Sequence, residues 1–363
     1  MRSSLLSKPA LIMAAGVALA GLYTMAGTAG AAARSVPASH RGMVRPASHS
    51  IAQRATGFAN WQMFRGNLAH TGVSPETGIN TTNASTLTAG WSASVASASY
   101  SSPAVVNLAA TGTPTVFVGG LGMFAAYPAS GGAPLWTFPV NKMVNASPAV
   151  LNGVVYFSST DGTLYAVNAK NGALLCSYDT GQFSEGSPLV VEAPDGSGPV
   201  IYEGTAPAGT VGFEWAIYGP GNTHGSCTVD WTFHGWTITD TGTWSPPAYG
   251  TNANGVPVVV FGSDDPDNSV YALNATTGAR IWRVITNRTF YASPAVVGPP
   301  GEQVLIIANI TGHIFALDLA TGKTLWTQAA DSAGIWSSPT VSQNTIYITG
   351  KDGQLVTFTP SGA

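Results

Sequence analysis

The chain has 363 residues, of which only 9% are charged, with 14 Lys and Arg against 17 Asp and Glu and a formal net charge of -3. Charge this sparse leaves no basic face large enough for nucleic acid, which excludes that class of partner. The length, with 45% hydrophobic residues, is enough for a large domain with its own core.

At the N-terminus, Arg2 and Lys8 precede an uncharged stretch from Pro9 to Ala33 that ends in Ala31-Ala32-Ala33. A basic start, an apolar run and a small-residue end read as a secretory signal, so residues 1–33 are assigned to a signal peptide and the protein to a secreted, extracellular location. Left uncut, the same run would anchor the chain to the cell surface, the one circumstance in which a membrane is expected. Cleavage after Ala33 would remove two positive charges and no acid, moving the formal charge from -3 to -5. Residues 34–58, rich in Ser, Ala, Pro, His and Arg, read as a disordered linker. Residues 59–363 then form one repeat domain.

The repeat is most complete between Ser293 and Trp326. It opens with Ser293-Pro294-Ala295-Val296, continues through the apolar run Val304 to Ala308, a Thr311-Gly312 turn and the run His313 to Leu319, and closes with Gly322-Lys323-Thr324-Leu325-Trp326. Apolar runs of strand length, rich in Val and Ile and bounded by Gly or Pro, read as four short strands joined by tight turns. Ser-Pro anchors recur at Ser102, Ser147, Ser187, Ser245, Ser293 and Ser338, spaced 45, 40, 58, 48 and 45 residues apart. That period belongs to propeller blades, so the expected fold is an all-β propeller of six four-stranded blades. The last unit runs out of chain after its third strand, whereas the strand Gly90 to Val95, carrying Trp91, has no unit of its own. The two chain ends are therefore expected to complete one blade together, which removes exposed sheet edges.

The closing Gly followed four residues later by Trp recurs at Gly132 and Trp136, Gly278 and Trp282, and Gly322 and Trp326. The second unit has Cys176 in the Trp position after Gly172, and the third has Trp231 without a matching Gly. One ring per repeat at a fixed position reads as packing between blades. Asp161-Gly162 and Asp352-Gly353 read as hairpin turns. In an exported chain Cys176 and Cys227 pair by default, here clipping neighbouring blades at their rims, with two unpaired thiols as the alternative.

The opening Trp61-Gln62-Met63-Phe64-Arg65-Gly66-Asn67 with His70-Thr71-Gly72, the Ser-Pro starts and the Gly-x-x-x-Trp ends together resemble the pyrroloquinoline-quinone-type (quinoprotein-like) β-propeller repeat proteins. The resemblance runs from Trp61 to the C-terminus. It implies the fold more than an activity, because that superfamily holds quinone-dependent dehydrogenases beside cofactor-free scaffolds.

Functional residues are expected where the repeats disagree. With the innermost strand first in each blade, the residues just before the anchors should ring one mouth of the central channel: Tyr100, Asn145, Glu185, Trp244, Tyr291 and Trp336. Four aromatics, an amide and a carboxylate suit a flat or polyhydroxylated ligand, and a plugged channel is the alternative. The long loop from Thr232 to Thr243 brings His234 and Trp236 to the same face. The hairpin with Asp264, Asp265 and Asp267 should emerge beside it, where three carboxylates in four residues could hold a hard cation, although an Asp-rich turn is the commoner meaning.

A quinone-dependent enzyme would need pyrroloquinoline quinone, calcium and a carboxylate base. Family enzymes often add adjacent cysteines and more blades, and this chain has no Cys-Cys pair, no Cys-x-x-Cys-His haem motif and no hydrolase signature. The preferred reading is a monomeric binding or scaffold module for an exported protein or a carbohydrate-like ligand. The alternative is a pyrroloquinoline-quinone-dependent dehydrogenase oxidising an alcohol or sugar.

Overall fold

The computed structural model describes residues 60–359 apart from 75–77, 97–99, 109–111, 113, 207–211, 235–241 and 287. The signal peptide and linker assigned from sequence lie outside them. Among the described residues, apart from one short 3-10 turn, Ala84–Thr86, every regular element is a strand, and these strands form six antiparallel sheets in which sequence neighbours pair. Blades 2 to 5, whose first strands begin at Ala149, Leu189, Ala248 and Ala295, each have four strands. Blade 5, for example, runs Ala295–Val297, Val304–Ala308, His313–Asp318 and Thr324–Ala329. Each begins just after its Ser-Pro anchor.

Blade 1 has only three continuous strands, Ala104–Asn107, Pro114–Pro128 and Trp136–Met143. The middle one is a hairpin. Ala129 donates its N–H to the Pro114 carbonyl at 2.8 Å, whereas a straight strand would hold these residues about 50 Å apart. The chain turns back near Gly122, whose φ of +71° a side chain would oppose. Blade 1 is therefore four-stranded, and blade 6, with Thr340–Ser342, Thr345–Thr349 and Leu355–Phe358, lacks only its outer strand.

The apolar core lies between blades as separate clusters. One joins Tyr156, Leu164 and Leu189 to Tyr202, Trp215 and Phe261, and another joins Phe117 and Phe124 to Trp136 and Phe157. At the rims the recurrent Trp does two things at once. Its ring covers a Gly of the next blade and its indole N–H donates to a carbonyl there: Trp136 to Ala169, Trp231 to Ala275 and Trp282 to Leu319, at 2.8–3.1 Å. A Cβ on Gly172, Gly278 or Gly322 would lie 2.6–2.7 Å from ring carbons, so only glycine admits the ring.

Trp91 repeats this arrangement on blade 1, donating to Ala129 at 3.0 Å and lying over Gly131. It therefore stands where the outer-strand Trp of blade 6 must stand, and the ring closes between the two chain ends. In blade 1 the covered glycine is Gly131, one residue before the Gly132 that the four-residue spacing selects.

Between blades 2 and 3 the dock is covalent. Cys176 occupies the Trp position and Cys227 lies four residues before Trp231, in the place of the glycine that the repeat lacks. The two form a disulfide with a Cα–Cα distance of 5.8 Å. Cys227 keeps the positive φ of its glycine counterparts, +50° against +67° to +72° for Gly172, Gly278 and Gly322. A Cβ is tolerated there because the residue opposite is a Cys and not an indole.

The channel is filled by the segment Trp61 to Gly72, which spends its backbone carbonyls on the inner strands. Trp61 accepts from Val105, Gln62 from Val150, Leu68 from Tyr249, Ala69 from Val296 and Thr71 from Val341, at 2.7–3.1 Å. These donors come from five different blades. Met63, 1% exposed, packs into the cluster that includes Leu189 and Val190 of the remaining blade, the third. Arg65 ties the plug to blade 6 by donating to the carbonyls of Ser338 and Pro339 and to the Thr340 hydroxyl. Burial lowers its pKa to about 10, which leaves it charged at neutral pH. His70 is buried against the Ser293 hydroxyl, with Nδ1 at 2.6 Å, and burial first, then Arg65, holds it neutral with a pKa of about 3.

The disulfide closes a sequence separation of 51 residues. Replacing both cysteines by Ser is expected to cost about 2–4 kcal/mol in urea unfolding, and Trp282→Ala about 3–5 kcal/mol. Unchanged midpoints in both variants would refute this account of the rims.

Candidate functional site

The Ser-Pro anchors build the rim of one channel mouth. The Ser102 N–H donates to the Ser147 hydroxyl, Ser147 N–H to Ser187 and Ser293 N–H to Ser338, each at 2.9 Å. Between blades 4 and 5 the hydroxyls donate instead, Ser245 to the Ala292 carbonyl and Ser293 to that of Pro246. The residue two before each anchor, or one before it at Ser245, is thereby held at the rim.

All six residues singled out there, Tyr100, Asn145, Glu185, Trp244, Tyr291 and Trp336, line one cavity of about 480 Å³, together with Phe64 of the plug. Tyr100 is 85% exposed, Trp336 58% and Tyr291 38%, so the aromatic surface faces outward. The rings contact in series at steep angles: Phe183 to Trp244 at 5.7 Å and 60°, Trp244 to Tyr291 at 6.2 Å and 86°, and Tyr291 to Trp336 at 5.9 Å and 85°. Asn145 donates to the Glu185 carboxylate at 2.7 Å, which fixes both across the blade 2 to blade 3 boundary. Lys351 places Nζ 4.3 Å from the centroid of Trp336.

The Asp hairpin does lie beside this mouth. Asp264 accepts from the Trp244 indole at 2.7 Å and from Thr289 at 3.0 Å, and so orients the ring. Asp265 accepts from Asn268, while Asp267 is buried and takes donors from Ser263, Tyr271 and Arg283. Each of the three carboxylates is thus committed to protein donors, and among the described residues no group of three His, Cys, Asp or Glu side chains is placed to hold a metal ion. His234 is exposed, its ring edge-on to Phe213 at 5.2 Å, and does not line the cavity. Trp236 lies outside the described residues. Sequence reasoning missed Phe64, Lys351 and the orienting role of Asp264. The first was visible as an aromatic in a motif that no repeat copies.

Pyrroloquinoline quinone carries several carboxylates, and an anion of that kind needs cations or a bound metal. The lining of this cavity offers the opposite sign, one carboxylate in Glu185 and no Lys or Arg. Arg65, beneath the floor, has its guanidinium spent on carbonyl and hydroxyl oxygens, and Lys351 sits at the rim. The residues present do not fit the quinone.

Two buried carboxyls lie in blade 3, away from the cavity lining. Glu203 accepts from the Ser184 hydroxyl through one oxygen and leaves the other without a partner, while both oxygens of Glu214 are unpartnered. Burial pushes Glu203 up to about 7 against the pull of the Ser184 hydrogen bond, and burial, then Glu203, raises Glu214 well above the usual carboxylate range.

The family described as outer membrane protein assembly factor BamB matches residues 54–210 and 266–362. Outer membrane protein assembly factor BamB of Shewanella oneidensis is 26% identical over 278 residues, covering 67% of this chain and 68% of that protein. Tetrathionate hydrolase of Acidithiobacillus ferrooxidans is 30% identical over 201 residues, 55% of this chain but 32% of its own. A quinohemoprotein alcohol dehydrogenase of Pseudomonas putida superposes with a TM-score of 0.62 at 21% identity, over 75% of this chain and 48% of that one. At that identity the likeness shows the fold alone, and the chain spans about half the length of the dehydrogenase.

Glu203 titrates near 4.5 when unfolded and near 7 in the fold. Its contribution to stability is therefore whole below the unfolded value and is lost as pH rises through the folded one, a change of about 3 kcal/mol. Urea midpoints should fall from about pH 5 to about pH 8 in the native protein, and Glu203→Gln should remove about that much of the slope. Equal slopes in the two proteins would overturn the assignment.

Proposed function

This chain belongs to the β-propeller repeat family described as outer membrane protein assembly factor BamB, and from that premise we propose that it works by binding, as a module that docks an exported protein at the aromatic mouth of its channel. The observation that carries the reading is the exposure of Tyr100, Trp336 and Tyr291 around a cavity closed below by Phe64. Aromatic side chains dominate the centres of protein interfaces, and they seldom stand exposed together on a surface that meets only water. The plug supports a binding role in a second way. With the inner strands hydrogen-bonded to Trp61 to Thr71, the mouth is a rigid shallow basin and not a pore, so little ordering is needed when a partner arrives. A location outside the cytoplasm accords with the Cys176–Cys227 disulfide, since such bonds persist in oxidising compartments.

A photo-crosslinking side chain placed at Tyr100 should capture a discrete exported protein in cells producing this chain, whereas the same group at the exposed outer-strand residue Leu174 should not. With the captured partner purified, replacing Tyr100 and Trp336 together by Ala should weaken its binding by about thirtyfold or more, at an unchanged thermal midpoint. Equal capture from Leu174, or unchanged affinity in the double variant, would refute docking at the mouth.

A further inference from the structure

The rings of the mouth are arranged as a cage. Trp244 meets Tyr291 at 86° and Tyr291 meets Trp336 at 85°. In edge-to-face pairs the positive edge of one ring meets the negative face of the next, so faces not covered by a neighbour keep their negative potential toward the cavity. One such face already holds a cation, the Lys351 ammonium over Trp336. The charged groups that bear on the other rings are acidic. Glu185 is in the lining, Asp264 stands behind Trp244, and Asp264 and Asp265 add to burial in raising the Tyr291 pKa. Arg65, the plug residue next to Phe64, is turned onto the carbonyls of Ser338 and Pro339.

We propose that the mouth is an ammonium site, taking an alkylammonium group among Trp244, Tyr291 and Trp336 with Glu185 as its counter-charge and Lys351 as its internal competitor. The inference rests on the reading of this mouth as a binding surface and names the chemistry of the group that enters it. Two sources supply that chemistry, a lysine side chain on a partner protein and a quaternary ammonium head group of the choline type. Both present a compact cation to aromatic faces, and desolvation in the cage strengthens the attraction.

The test is a titration of the purified protein, followed by tryptophan fluorescence, with three probes: Nα-acetyl-lysine amide, choline, and 3,3-dimethylbutan-1-ol, which has the shape of choline without its charge. At least one ammonium probe should saturate the signal, with the neutral alcohol about tenfold weaker or worse. Glu185→Gln should weaken the ammonium probe about fivefold, Trp336→Leu should abolish its signal, and Lys351→Met should tighten it by freeing the ring. Thermal midpoints of the three variants serve to show that each is folded. Saturation by the lysine amide alone assigns the site to a protein side chain, and by choline alone to a quaternary head group. Equal affinity for the neutral alcohol, or no saturation by either ammonium, overturns the proposal. If neither ammonium binds while the Tyr100 and Trp336 double variant still loses its captured partner, docking stands and the ammonium site falls. If an ammonium binds and the partner is unaffected, the reverse holds.

Discussion

The carbonyl groups of Trp61 to Thr71 are the constraint on which the rest of the propeller depends. Six sheets arranged around an axis turn six inner edges toward the channel, and each edge carries backbone donors that the blade itself cannot satisfy. A buried donor without a partner costs about 1–3 kcal/mol, so an unfilled channel would have to stay wide enough for water. Here one short segment supplies acceptors to Val105, Val150, Tyr249, Val296 and Val341 in turn, and the channel closes onto it. The plug also sets the site, because Phe64 is the floor against which the aromatic rim stands.

At the rims one geometric requirement is met by two chemistries. A flat indole needs a glycine opposite it, and the glycine needs a positive φ to turn the chain into the outer strand. Where the sequence puts Cys176 in place of the indole, the requirement for a bare backbone lapses, and Cys227 takes the glycine position with the same turn. A non-covalent dock repeated around the ring is thus exchanged at one boundary for a covalent one. That exchange falls beside the most irregular repeat, the third, where the spacing between anchors is longest.

The binding face follows from the same periodicity. Each Ser-Pro anchor is a hydrogen-bonded joint between neighbouring blades, so the residue one or two before it is held at the mouth whatever its identity. The strands and joints keep their residue types, while the position two residues before the joint, or one before it in blade 4, holds Tyr, Asn, Glu, Trp, Tyr and Trp in turn. The scaffold is repetitive for reasons of packing, and the site is where that reason ceases to apply. Orientation within the site comes from contacts that differ from blade to blade: Asp264 aims Trp244, Asn145 aims Glu185 and Lys351 covers Trp336.

What the sequence determined by itself was whatever depends on local spacing. The blade number, the innermost position of the strand after each anchor and the ring of six mouth residues follow from periods and turn residues, which act over a few residues at a time. Only the tertiary structure decided what depends on distant groups meeting. The Trp61 to Gly72 motif carries no mark of a channel plug, because its partners are backbone donors spread from Val105 to Val341. Cys227 looks like a missing glycine only when Cys176 is seen opposite it. Within blade 4, Asp267 is taken by Arg283 of the outer strand while Asp264 accepts from Trp244 at the mouth, and no spacing rule separates the two. Local pattern is written along the chain, but hydrogen-bond satisfaction in a closed ring is a property of the whole circle.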